Sequence, residues 1–284
     1  AMSDGDAIAG VPFPLEMAVE DEFGNRIALT DAEADEVVFQ DEFGPVDCVH
    51  TGMGLEEHSR GFQCMFTVAA TDNRLYASAL DAGVVGVSAS FGVQSGPLHR
   101  VVVTRESTLG EFVVGDALPL ALEGLDSFGN RVSGSTTLTL NNVAGGLIAD
   151  DVVLTSGVGS AVALLTRALR GDSIWAAQGP AALGGTSAFD VRPGPGVALV
   201  ARADTHWGFV GETLSIELAV VDGYGNPVAH DGGSVVISSD DGSTPDQVTA
   251  WTPGEVLEYS LETTRFNDTL GLELDGMNAI LAPI

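Results

Sequence analysis

Lysine is absent from this sequence: all eleven basic residues are arginine, set against forty acidic ones, for a formal charge of −29. A surface this negative repels phosphate backbones and anionic lipid, which argues against nucleic acid and membrane surfaces as partners. No apolar run approaches the eighteen residues of a membrane span, so no membrane insertion is expected from this segment. Catalytic signatures are missing too. There is no Gly-x-Ser-x-Gly elbow, no His-Glu-x-x-His and no phosphate loop. The five histidines, His50, His58, His99, His206 and His230, are scattered along the chain. An enzyme is not expected. No secretory signal opens the chain, and Ala1-Met2-Ser3 reads as a remnant ahead of an excised segment, which leaves the parent protein's location undecided.

What is abundant points to short strands. Glycine reaches 36 residues, aromatics are only 6%, and Val, Leu, Thr and Ala recur in short runs bounded by turn residues. No helix longer than a turn or two is expected. Within this pattern lies an internal repeat. Three alternating apolar runs each end in Asp-x-aromatic-Gly-Asn: Asp21-Glu22-Phe23-Gly24-Asn25, Asp126-Ser127-Phe128-Gly129-Asn130 and Asp222-Gly223-Tyr224-Gly225-Asn226. The copies are 105 and 96 residues apart, one sandwich domain each. Leu15, Met17 and Val19 lead into the first; Leu118, Leu120 and Leu122 into the second; Ile216, Leu218 and Val220 into the third. Alternate strand residues share a face, so each run predicts a strand with one side on a core. The motif itself predicts a turn: Gly supplies positive φ, the Asp carboxylate accepts nearby N–H groups, and the aromatic pins the corner.

Other features repeat in register. Phe91, Val93, Gly96 and Pro97 match Phe189, Val191, Gly194 and Pro195, and Val114-Gly115-Asp116 matches Val210-Gly211-Glu212. The Gly-Pro steps read as short, stiff joints, because Pro fixes φ and restricts the residue before it. They divide the chain into domains at 1–96, 97–194 and 195–284. Strand candidates later in each unit are Cys64 to Thr71, Ala161 to Leu169 and Val256 to Thr263. They are followed by Leu75 to Leu80, Ser173 to Ala177 and Leu270 to Leu274.

These residues resemble the bacterial immunoglobulin-like (Ig-like) repeats of the invasin and intimin type, whose signature is an alternating strand followed by Asp-x-Tyr-Gly-Asn-Pro-Val. Asp222 to Val228 fits it in full, whereas the other copies carry Phe for Tyr and Arg131 or Arg26 for Pro. The resemblance implies an all-β chain of three tandem Ig-like Greek-key β-sandwich domains. It also implies use as a stalk or spacer in a bacterial cell-surface or secreted protein. It supplies no binding site.

The first domain departs from the pattern. Only Ser3 to Pro14 stands where the other domains have a full strand and loop, so its first strand is short, irregular or cut away, and an exposed edge there could pair with a neighbouring chain. It also holds both cysteines, Cys48 and Cys64. An even pair in an extracytoplasmic domain favours a disulfide. Free thiols stay open, as does a zinc site with His50 and His58, although the spacing lacks the usual close pairs.

Acidic clusters raise calcium as a cofactor: Asp240-Asp241 with Asp246, Asp150-Asp151, and Asp41-Glu42 with Asp47. None has an EF-hand pattern, and solvated turns explain each of them. The motif aspartates with Asp116 and Glu212 could also converge at a joint. Tyr76 and Trp175 read as core aromatics, Trp207 as packing on the second joint, and Trp251 is undecided. The leading expectation is a non-catalytic structural or adhesive module whose partners are neighbouring domains of a longer chain. The alternative is an adhesin that binds a glycan or protein directly, with or without calcium, through loops such as Thr51 to Gly61.

Overall fold

A computed structural model describes residues 6–56, 58–79, 84–107, 110–204, 211–239, 246–260 and 269–281. Among the described residues the chain is all-β apart from one short helix, Asp31–Asp35. Thr30 and Glu33 cap that helix reciprocally, each side chain bonded to the other's backbone.

Three clusters of buried apolar side chains follow one another along the chain. The first runs from Ala7 to Val93, the second from Val101 to Val191 and the third from Leu199 to Leu281. The second unit shows how each is enclosed. Arg100–Arg105 pairs antiparallel with Ala117–Leu125, which pairs antiparallel with Val158–Leu165. Through the Thr155–Val158 pairing the same sheet continues into Val152–Thr155, Ser135–Asn142, Ile174–Gln178 and Ala181–Gly185, and it folds back so that the last two strands pack on Arg100–Arg105. Phe189–Arg192 runs parallel to Glu111–Val113. The result is an Ig-like sandwich. The third unit repeats the plan, with Ala198–Ala203, Thr213–Val221 and Val256–Ser260 in one sheet. Gln247–Trp251, Gly233–Ser239, Leu270–Leu274 and Met277–Leu281 form the other.

Period-two alternation builds these cores. Leu118, Leu120 and Leu122 are buried while Pro119 and Ala121 between them, and Glu123 after them, are not; Leu214, Ile216, Leu218 and Val220 repeat the pattern. Each such leucine contributes about 1.5–3 kcal/mol by leaving water. Two aromatics depart from expectation. Tyr76 and Trp175 are only half-buried, because Leu75, Ile174 and Ala176 take the inward positions of those strands. Trp251 is buried, its Nε1 donating to the Glu255 carbonyl at 3.2 Å.

The strands expected at 64–71 and 161–169 are broken. Arg60–Met65 and Val158–Leu165 end before Phe66 and Thr166, and pairing resumes at Ala70–Asn73 and Leu169–Asp172. The break presents Thr67 to Ala69 and Thr166 to Ala168 as loops at one end of each sandwich. The expected strand at 256–263 is described as Val256–Ser260; residues 261–268 lie outside the described residues.

Candidate functional site at the joints

Each Asp-x-aromatic-Gly-Asn motif is a closed turn. The Asp126 N–H donates to the Asn130 carbonyl at 2.9 Å and the Gly129 N–H returns to the Asp126 carbonyl at 3.2 Å. Gly129 sits at φ +89°, Gly225 at +83° and Gly24 at +81°, a region where other residues are strained. The carboxylate organises the inside of the turn. Asp126 Oδ1 accepts the N–H groups of Phe128 and Asn130, both at 2.9 Å. Asp222 does the same with Tyr224 and Asn226.

In the second and third copies the turn also holds its neighbour. Gly96, in the Gly-Pro step, donates its N–H to Asp126 Oδ2 at 2.9 Å; Gly194 donates to Asp222 Oδ2 at the same distance. Asn130 then reaches across to the preceding unit. Its Oδ1 accepts the Ala69 N–H at 3.0 Å and its Nδ2 donates to the Thr67 carbonyl at 2.8 Å. Asn226 repeats both bonds, with Ala168 at 2.9 Å and Thr166 at 3.0 Å. The aromatic closes the joint. A Cβ on Gly10 would run into the Phe128 ring, and one on Gly115 would lie 3.1 Å from Tyr224. Gly10 and Gly115 occupy equivalent places, both at positive φ.

The first copy forms the same turn without a neighbour described against it. Asp21 accepts the N–H groups of Phe23 and Asn25 and the Asn25 side chain. Phe23 is 81% exposed, against 44% for Phe128 and 49% for Tyr224.

Electrostatics at the joints follow from these donors. Burial pushes the Asp126 carboxyl up, but bonds from the Asn130 side chain and the Gly96, Asn130 and Phe128 amides outweigh it, so its pKa lies below the ordinary 3.8. Asp222 is likewise lowered: burial raises it, and the Asn226, Gly194 and Tyr224 donors prevail. Asp21 is lowered chiefly by the Asn25 side chain. These oxygens face N–H groups, which is the environment of a satisfied anion rather than of a cation ligand. Asp116 is turned to its own loop, accepting the Val113 N–H at 3.1 Å. Among the described residues it joins no group of three acidic, histidine or cysteine side chains.

The remaining candidates lie elsewhere. Cys48 and Cys64 are bonded as a disulfide across directly paired positions of Asp47–Met53 and Arg60–Met65. No zinc set assembles around them: His50 is bonded through Nδ1 to Asp35 and through Nε2 to the Gly52 carbonyl, both at 3.2 Å. The loop expected at 51–61 is shorter, because Asp47–Met53 and Arg60–Met65 are strand. Asp240, Asp241, His206 and Trp207 lie outside the described residues, and Asp246 is exposed. Among the described residues, no three His, Cys, Asp or Glu side chains gather as a metal cage. No described helix is long and apolar enough to cross a membrane.

Sequence reasoning found both motif halves of the joints but missed the loops they grip. The signal was there: Phe66-Thr67-Val68-Ala69 and Leu165-Thr166-Arg167-Ala168 repeat 99 residues apart. It also missed a buried polar pair. Asp172 accepts the Asn142 side chain at 2.8 Å together with the Val143 and Ser173 amides. In the first unit the roles are exchanged, Asn73 donating to Asp41 at 3.2 Å.

No protein-family model matches the chain, and no curated protein matches it. Among solved structures it is similar to FdeC, an Escherichia coli adhesin, at 15% identity and a TM-score of 0.44, covering 100% of this chain and 94% of that one. It is similar to invasin, a bacterial integrin-binding protein, at 15% identity and 0.34, covering 100% of this chain and 59% of that one. The mouse nectin-like molecule 4 ectodomain is similar at 11% identity and 0.37, covering 98% and 96%.

Proposed function

We propose that this chain is a non-catalytic spacer module of a bacterial cell-surface or secreted protein: a semi-rigid rod of three Ig-like domains with boundaries near residues 96 and 194. The observation that carries this reading is the repetition of one clasp at two joints. Asn130 and Asn226 make the same pair of bonds to the preceding unit, and Asp126 and Asp222 hold the same linker amide. A repeated, hydrogen-bonded joint with a Gly-Pro linker fixes the angle between neighbours, which is what a spacer requires. Small-angle X-ray scattering tests it. The chain should give the profile of a stiff elongated particle, and the Asn130→Ala/Asn226→Ala double variant a broader distribution of maximum dimensions. A compact particle would rule the rod out, and identical distributions for the two proteins would show that the clasp does not set the angle.

A further inference from the structure

Two aromatic side chains stand on outward faces of the sandwiches. In the second unit Asn141, Trp175 and Gly185 are directly paired across three strands, Ser135–Asn142, Ile174–Gln178 and Ala181–Gly185. Leu138, Ile174 and Ala176 take the inward positions of these strands, so this row faces away from the core. The first unit repeats it with Gln40, Tyr76 and Val87, while Phe39 and Leu75 point inward. The third unit has Ser238, Gly271 and Ile280 in that row. Its core closes all the same, with Leu270 and Leu272 on either side of Gly271 buried. The fold itself does not require an aromatic in this row.

The polar groups of these rows are unused. Trp251, a core residue, is buried and donates its indole N–H to Glu255, as buried tryptophan ordinarily does. Trp175 and Tyr76 are half-buried. Among the described residues neither the Trp175 indole N–H nor the Tyr76 hydroxyl has a hydrogen-bond partner, and the exposed amides of Asn141 and Gln40 beside them have none either. Gly185 leaves the far side of Trp175 without a side chain; a Cβ there would lie 3.1 Å from the Trp175 Cβ. Charge is missing from the same surfaces. Thr139 and Ala177 form the next outward row of the second unit, Val38 and Ser78 that of the first, and none of these rows holds an acidic or basic residue. The chain as a whole carries 40 acidic and 11 basic ones.

We propose that Trp175 with Asn141, and Tyr76 with Gln40, are two platforms for a neutral glycan. The apolar C–H face of a sugar ring packs on the aromatic ring. Sugar hydroxyls both donate and accept, which matches an amide that offers two donors and an acceptor next to an indole N–H or a phenol. A chain of charge −29 disfavours an anionic ligand. A purely apolar ligand would cover these polar groups without satisfying them.

The test is saturation-transfer NMR on the full chain with neutral hexasaccharides of glucose, mannose and N-acetylglucosamine, and with trigalacturonic acid as the anionic control. Saturable binding of at least one neutral sugar is expected, at a Kd of about 1 mM and insensitive to added NaCl, since no charge takes part. Trp175→Ala should weaken it about three- to tenfold and Trp175→Ala/Tyr76→Ala should abolish it, whereas Trp175→Phe, which keeps a stacking face, retains most of it. Melting temperatures should stay within about 2 °C of the native value, because the third unit folds with glycine in this row. Three results would overturn the proposal: no saturable binding of any neutral sugar, equal binding by the double variant, or binding that salt removes or that the anionic sugar matches.

Discussion

Asn130 Nδ2 donates to the Thr67 carbonyl at 2.8 Å across 63 positions of sequence, and Asn226 meets Thr166 in the same way across 60. The equivalent Asn25 bonds only within its own turn among the described residues. Asn130→Ala and Asn226→Ala should therefore each cost about 1–2 kcal/mol, since they leave a carbonyl and an amide of the partner loop without their side-chain partner. Asn25→Ala should stay within about 0.5 kcal/mol. Denaturant unfolding of the three variants checks the contrast; equal losses would mean the bonds across the joint contribute nothing.

The motif aspartates set a direction for acid stability. Their folded pKa values are lowered below 3.8, so their contribution is complete above the unfolded value of about 3.9 and is lost as pH falls through the folded values. Melting temperature should accordingly hold between about pH 7 and 5 and drop below about pH 4. Asp126→Asn/Asp222→Asn should flatten that drop while lowering stability at neutral pH, because an amide cannot accept from the same set of donors on both of its atoms. A drop as steep in the double variant as in the native chain would assign the effect to other carboxylates.

Calcium should not act through the joints. The oxygens of Asp126 and Asp222 already receive backbone and side-chain N–H groups. Binding a cation would require giving these up. Millimolar CaCl₂ should shift the unfolding of the Asp126→Asn/Asp222→Asn variant by the same increment as the native chain, with EDTA and ionic strength as controls. An increment lost in the variant would place calcium at the clasp.

The disulfide closes the hairpin formed by Asp47–Met53 and Arg60–Met65, with a sequence separation of 16. The chain-entropy model gives about 3 kcal/mol for a loop of that length. Cys48→Ser/Cys64→Ser should destabilise the first unit by about 2–3 kcal/mol and leave the other two unchanged. Hydrogen exchange resolved by segment measures this, and a loss spread over all three units would contradict independent cores.

The buried pair of the second unit invites an exchange. Asp172→Ala should cost about 2–4 kcal/mol, because the Asn142 side chain and two or more amides lose their acceptor inside the core. Asp172→Asn/Asn142→Asp reproduces the order found at Asn73 and Asp41 and should recover at least half of that loss. A double variant no more stable than Asp172→Ala would show that the surrounding amides fix which partner carries the charge.

How far these features could be read in advance depends on whether their cause is local. The strand ending in Leu118, Leu120 and Leu122 was legible because burial follows the two-residue period of the strand itself. The turn at Asp126 to Asn130 was legible for the same reason, all of its internal bonds falling within five residues. The outward face of Asn130 was not, since Thr67 and Ala69 are named by no local pattern. The break at Phe66 to Ala69 lies in an apolar run that reads as continuous strand, and only its docking against the next unit gives the interruption a purpose.

The Gly96 amide belongs to the linker, yet it is tied to a side chain of the unit that follows. This bond, the two from Asn130 and the Ser133 N–H to Ser95 Oγ at 2.9 Å fasten the linker and the preceding loop to one sandwich. Any tilt of one unit on the next must break these bonds before the Gly-Pro linker can turn.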